Sequence, residues 1–333
     1  MYDNSITIAE LITIIVQCIL CSIGLLTNSF LVITISRSHK LRNGCCGILL
    51  LILALCECAA QCSILFLPTI LTFNRIRIKL ILCFYLEFYG PYSQALIPII
   101  SLLISIDRLY SILFPINYKM MSSKKQKLYI IFLVFFPAII LLYLPYEMRN
   151  FALENSNELA QLAAKYLTTP STSVESEEIF ISNLGVLFIY TLIGLLIKCN
   201  VIKLSNDNIE QRLYKSLIVL MAISLFCWLP TPIINFIILL NNQLSQQAQY
   251  LLIRIALQLN KIAQTLNAPI LYICSSDYRQ EMKKELHRLI YFARNSSQSE
   301  SEIIGSNQMT KQYQTVMKAP PALVNNFVYP THK

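Results

Sequence analysis

Seven stretches of the chain stay apolar for about the 20 residues that a membrane-spanning helix requires. They are Ile8 to Ile35, Cys45 to Thr72, Leu80 to Leu113, Leu128 to Tyr146, Ile179 to Ile202, Leu213 to Leu240 and Tyr250 to Cys274. None alternates apolar and polar positions as a barrel strand does. A backbone in lipid must satisfy its own N–H and C=O groups, so these runs predict helices. The segments between them are short except one, Glu147 to Glu178. Within it, Asn157 to Leu167 has helical spacing and good helix formers, which fits a short surface helix as well as it fits a solvated loop. After the seventh run, Ser276 or Asp277 can cap a new helix. Tyr278, Met282, Leu286 and Leu289 share one face of it, while Lys283, Lys284 and Arg288 supply positive charge, the pattern of an interfacial amphipathic helix. From residue 294 onward Ser, Gln and Asn dominate, and the pattern predicts disorder. The expected organisation is a short N-terminus (1–7), an all-α membrane bundle of seven transmembrane helices (8–274), an amphipathic helix (275–293) and a disordered tail (294–333).

Charge supplies the orientation, because short cytoplasmic loops are enriched in Lys and Arg. Arg37, Lys40 and Arg42 follow the first run. Lys119, Lys124, Lys125 and Lys127 follow the third, and Lys203 and Arg212 the fifth. The other side carries Asp3, Glu10, Glu147, Glu154, Glu158, Glu175, Glu177 and Glu178. The N-terminus is therefore expected outside and the C-terminus inside, in the plasma membrane. Arg75, Arg77 and Lys79 fall in the one basic loop that opposes this assignment.

Composition agrees with lipid as solvent: 55% of the 333 residues are apolar and 14% charged, against about 25% charged in soluble domains. The net charge of +9 sits in the short flanking segments, with no basic helix or zinc-finger spacing of a nucleic-acid binder. The 11 cysteines lie mostly inside apolar runs, where a thiol acts as a small hydrophobe, and no metal or redox set is expected. Enzyme motifs such as His-Glu-x-x-His, Gly-x-Ser-x-Gly and the phosphate loop are absent, so no enzyme and no cofactor is expected.

Several polar positions inside the runs cost energy in lipid and therefore read as functional. Asp107-Arg108 ends the third run, in the sequence Ile106-Asp107-Arg108-Leu109-Tyr110-Ser111-Ile112-Leu113-Phe114-Pro115. Glu57 lies mid-run in Leu53-Ala54-Leu55-Cys56-Glu57, with Asn28 as its obvious polar partner. Cys227-Trp228-Leu229-Pro230 holds the only Trp, and Pro230 should kink its helix. Asn267-Ala268-Pro269-Ile270-Leu271-Tyr272 closes the seventh run.

In this order, the motifs resemble those of rhodopsin-like G-protein-coupled receptors. The Asp107-Arg108-Leu109 form followed by Phe114-Pro115 is similar to the nematode Srsx class of serpentine receptors. The resemblance covers roughly Ile8 to Leu289. It implies a switch at Asp107 and Arg108, a toggle and hinge at Cys227, Trp228 and Pro230, and a second switch element at Pro269 and Tyr272. It also implies a polar core of Asn28, Glu57 and Asn267, and an ionic latch from Arg108 to Glu210. The departures are Glu57 for the family's Asp and Ala268 between Asn267 and Pro269, both of which alter the family's sodium-site set. Cys83 sits at the family's disulfide position, but Glu147 to Glu178 contains no Cys, so Cys83 is expected to be unpaired.

Gly90 stands where the family's amine receptors carry an Asp, which argues against an amine ligand. Glu87, Arg254 and Lys261 are the pocket's own charges. A Glu87–Lys261 pair could be purely structural or could anchor a charged ligand. The resemblance implies a receptor for a chemosensory small molecule or a peptide, signalling to a heterotrimeric G protein by outward movement of span six. A receptor kinase and arrestin would then act on the tail. An opsin-like photoreceptor using Lys261 is the alternative, although the family's retinal Lys falls at Ile262. A transporter would show an internal repeat, and none is seen.

Overall fold

The computed structural model describes residues 8–42, 44–74, 78–121, 123–154, 159–160, 170–198, 218–219, 221–223, 225–240, 246–292 and 294. Span one is helical over Ile8–Arg37 and span two over Cys45–Asn74, joined through the short helix His39–Arg42. Span three comes in two pieces, Leu80–Glu87 and Tyr89–Leu113, instead of one run from Leu80. Pro91 has no N–H for the carbonyl of Glu87, so the ladder lapses and the helix breaks at Phe88. A five-residue helix, Pro115–Lys119, follows with Pro115 at its first position, where a fixed φ suits a helix start.

Span four runs Ser123–Ile140, turns at Leu141 and Leu142, and resumes as Tyr143–Glu154, well past the expected end at Tyr146. Pro145 cannot donate to the Leu141 carbonyl, and the Leu144 N–H closes a tighter turn onto it at 3.0 Å. Span five, Pro170–Lys198, starts earlier than Ile179, again with a proline where helix starts favour one. Span six is helical at 225–228 and again over Pro230–Leu240. Span seven is Gln246–Cys274, and a further helix covers 276–292, close to the expected amphipathic segment.

Among the described residues six helices are long and apolar enough to cross a membrane. Span seven is as long as the others but carries a polar face of Gln258, Asn260, Lys261, Gln264 and Asn267. The helices invert the usual pattern of a soluble protein. Leu26, Phe132, Phe188 and Phe226 are each more than half exposed, while Asn28, Glu57, Gln61, Asp107, Asn260, Lys261 and Gln264 are buried. An outward apolar surface is stable only against lipid.

The main core joins Leu31, Leu49, Leu53, Ile100, Ile104, Trp228 and Leu271 with Tyr278 and Met282 of the last helix. A second, smaller cluster packs Leu80, Cys83 and Phe84 against Met148 and Ala152. Beside that cluster lies the only strand pairing among the described residues: Ile78–Lys79 runs antiparallel to Leu159–Ala160. Leu159 and Ala160 are therefore extended, and not part of the helix that the spacing of Asn157 to Leu167 allowed. Strand pairing with the loop before span three has overridden local helix propensity.

The chain divides into two compact units, Met1–Met282 and Lys283–Lys333. In the second, Arg288 donates to Glu285 at 2.6 Å, one helical turn apart.

Candidate functional site

Three polar features lie along the bundle. The first is a hub at the C-terminal end of span three. Asp107 is fully buried, and Arg108 turns back onto it, with Nη2 at 2.5 Å and Nε at 3.2 Å from Oδ2. Tyr118, from the short helix Pro115–Lys119, completes the hub. Its hydroxyl accepts from Arg108 Nη2 at 3.2 Å and lies 3.2 Å from both carboxylate oxygens, to which it donates. Burial pushes the Tyr118 hydroxyl above its ordinary pKa, partly offset by the Arg108 guanidinium, so it stays a donor. Tyr110 packs beside the Tyr118 ring at 6.0 Å and beside Tyr129 at 6.3 Å. Tyr118 was not singled out from the sequence. The available signal was Pro115, which starts a helix and carries Tyr118 back under Asp107. Glu210, expected to latch Arg108, lies outside the described residues.

The second feature is the span-six hinge. Trp228 and Cys227 are buried in the core. The helix breaks at Leu229, because Pro230 has no N–H for the Phe226 carbonyl. The Leu229 N–H still reaches Leu225 O at 3.0 Å, and Ile233 N–H reaches Leu229 O at a longer 3.4 Å. Just beyond the break, Thr231 and Asn260 hydrogen-bond side chain to side chain, at 3.0 Å and 3.2 Å for the two donor directions. That contact ties the Pro230–Leu240 half of span six to span seven.

The third feature is a buried polar core among spans one, two, three and seven. Asn28 is not the partner of Glu57: its Nδ2 donates to the Gln264 carbonyl at 3.0 Å. Glu57 Oε1 instead accepts from Asn267 Nδ2. Asn267, one residue displaced from the family's position, thus still reaches the span-two carboxylate. Lys261 is buried and donates to Gln94 at 2.9 Å and to Gln264 at 3.2 Å. Gln61, Gln94 and Gln264 were missed in the sequence. The signal was their helical register, Glu57 with Gln61 and Lys261 with Gln264, each pair on one face. Pro269 lies inside the continuous helix of span seven, and Tyr272 is 36% exposed.

Gly90 faces Ser63 so closely that a Cβ there would collide with the Ser63 side chain. The side chains of Glu87 and Arg254 lie outside the described residues, and with them the Glu87–Lys261 pairing. Cys83 is buried, and none of the described cysteines is joined in a disulfide. Lys40, between spans one and two, bridges Asp277 at the start of the last helix at 2.7 Å. Among the described residues no three His, Cys, Asp or Glu side chains group as a metal site.

The family model described as serpentine type 7TM GPCR chemoreceptor Srsx matches residues 21–286. No curated protein matches the chain.

Proposed function

This chain belongs to the Srsx family of serpentine seven-transmembrane chemoreceptors, and from that membership we propose that it couples an extracellular ligand to a heterotrimeric G protein. The observation that carries the proposal is the pairing of a hinge with a hub. Span six breaks at Pro230 and is tied to span seven at Thr231, so a swing would move its inner half. Of that half, Met221 and Leu225 belong to the same buried core as Ile104, one turn before Asp107 and Arg108. Outward movement opens an inner cleft beside Arg108, and Glu210 latches Arg108 in the resting state. Pro269 and Tyr272 act as the span-seven part of the switch.

The ligand is a chemosensory small molecule or a peptide, held near Glu87, Gly90, Arg254 and Lys261. It acts by binding the open state more tightly than the closed one. The N-terminus faces outside the plasma membrane and the tail faces the cytosol, where a receptor kinase and arrestin act on it. The test is a ligand library applied to cells that carry the receptor and promiscuous G-protein reporters. Responses should appear in the wild type, vanish in Arg108→Ala at equal surface expression, and persist with a raised ligand-free level in Glu210→Ala. Undiminished signalling by Arg108→Ala would remove the hub from this mechanism.

A further inference from the structure

The buried core between spans one, two and seven is closed by three contacts. Gly24 lies against the Gln61 amide, Asn28 against Gln264, and Asn267 against Glu57. A Cβ at position 24 would overlap the Gln61 amide, so the amide keeps this place because position 24 is a glycine. Inside this ring several buried polar atoms have no protein partner. They are Asn28 Oδ1, Glu57 Oε2, Asn267 Oδ1, both amide atoms of Gln61, and Gln264 Nε2. Each such atom is costly unless something small and polar meets it. The set is lopsided, with four acceptor oxygens and two amide donors, one of the oxygens belonging to a carboxylate. Oxygens arranged this way attract a hard cation. A cation is already present in the same buried core: Lys261 donates to the Gln264 side chain, and Asn28 donates to the Gln264 carbonyl.

We propose that the Lys261 ammonium is a built-in counter-ion for Glu57, relayed through Gln264 and water, and that it excludes an inorganic cation from the Asn28–Glu57–Gln61–Asn267 chamber. Two opposite charges sharing one polar cavity cost less than either alone, and a second positive charge beside the first is repelled. Removing the ammonium while keeping the carboxylate should therefore open the oxygen set to sodium.

The test uses full-length receptor in detergent, with thermal unfolding read by a fluorophore that reacts with newly exposed thiols. Samples are compared in sodium, potassium and choline chloride at one ionic strength. The wild type should give the same midpoint in all three. Lys261→Met should gain a sodium-specific rise of about 2 °C at ten times the dissociation constant, and Lys261→Met with Glu57→Gln should lose it. A sodium-specific rise in the wild type overturns the proposal, as does a sodium-blind Lys261→Met. Where Lys261→Met yields no folded protein, the Lys261→Met, Glu57→Gln double variant should recover the yield. Failure of that rescue, or rescue by Glu87→Gln in place of Glu57→Gln, also overturns it. No readout depends on signalling, so the outcome is independent of the proposed function.

Discussion

Tyr118→Phe isolates one hydroxyl in the hub at the end of span three. The ring remains, so its packing on Tyr110 at 6.0 Å and its position 6.0 Å from the Arg108 guanidinium are retained. What disappears is the acceptor for Arg108 Nη2 and the donor to Asp107, each at 3.2 Å. Hydrogen bonds to charged groups contribute about 1.5–3 kcal/mol each. Asp107 keeps Arg108 at 2.5 Å, and Tyr118 is only half-buried, so water can reach the vacated position. The lower end, about 1.5 kcal/mol, is therefore the better figure, and every 1.4 kcal/mol is tenfold in an equilibrium constant. With the hub formed in the resting state, its loss should raise ligand-free signalling several-fold, up to about tenfold. The assay is basal G-protein reporter output at matched surface expression, with Asp107→Asn and the double variant completing a cycle. The double variant should fall short of the sum of the singles, since both act on one network. Basal output and thermal midpoint both unchanged in Tyr118→Phe would refute the reasoning.

Gly90→Ala should lower the thermal midpoint through an overpacking cost of about 1–3 kcal/mol, because the new Cβ meets the Ser63 side chain. Adding Ser63→Gly should restore the midpoint, and an undisturbed Gly90→Ala would show that the helices separate freely there. Burial also raises the Tyr278 hydroxyl above its ordinary pKa. The raised folded value means its contribution is intact below the unfolded pKa of about 10 and is lost as pH rises beyond it. Thermal midpoints measured from pH 8 upward should fall once the unfolded value is passed, with a shallower fall in Tyr278→Phe; identical slopes would contradict this.

The spans were legible because lipid imposes a simple rule on composition, and an apolar run of the right length has few other uses. Their interruptions were less so. Pro91, Pro137 and Pro145 are all visible in the sequence, yet only the structure shows that span three breaks at Phe88 and that span four turns at Leu141 and resumes. Asp107, Arg108, Glu57 and Lys261 stood out as charges in apolar runs. Their partners did not, because a partner is fixed by helix rotation and not by chemistry alone. Asn28 was the reasonable choice for Glu57, but its amide faces span seven at Gln264. Neutral glutamines drew no notice for the same reason: a Gln in an apolar run is quiet until several meet. Tyr118 lay outside the runs altogether, and Leu159–Ala160 is extended only because Ile78–Lys79 lies alongside.

The join between those two loops has a bearing on assembly. Where the family resemblance implies an oxidised sulfur link at the Cys83 position, the loop from Glu147 to Glu178 has no cysteine to offer. It is held by two backbone pairs and by Met148 and Ala152 packed around Cys83. A join of this kind forms without an oxidant and reforms after every opening. Neither the strand pairing nor the packing responds to thiol reductants, so this join holds under reducing conditions. Small changes at Met148 or Ala152 would then loosen or tighten the join while leaving its backbone pairs in place.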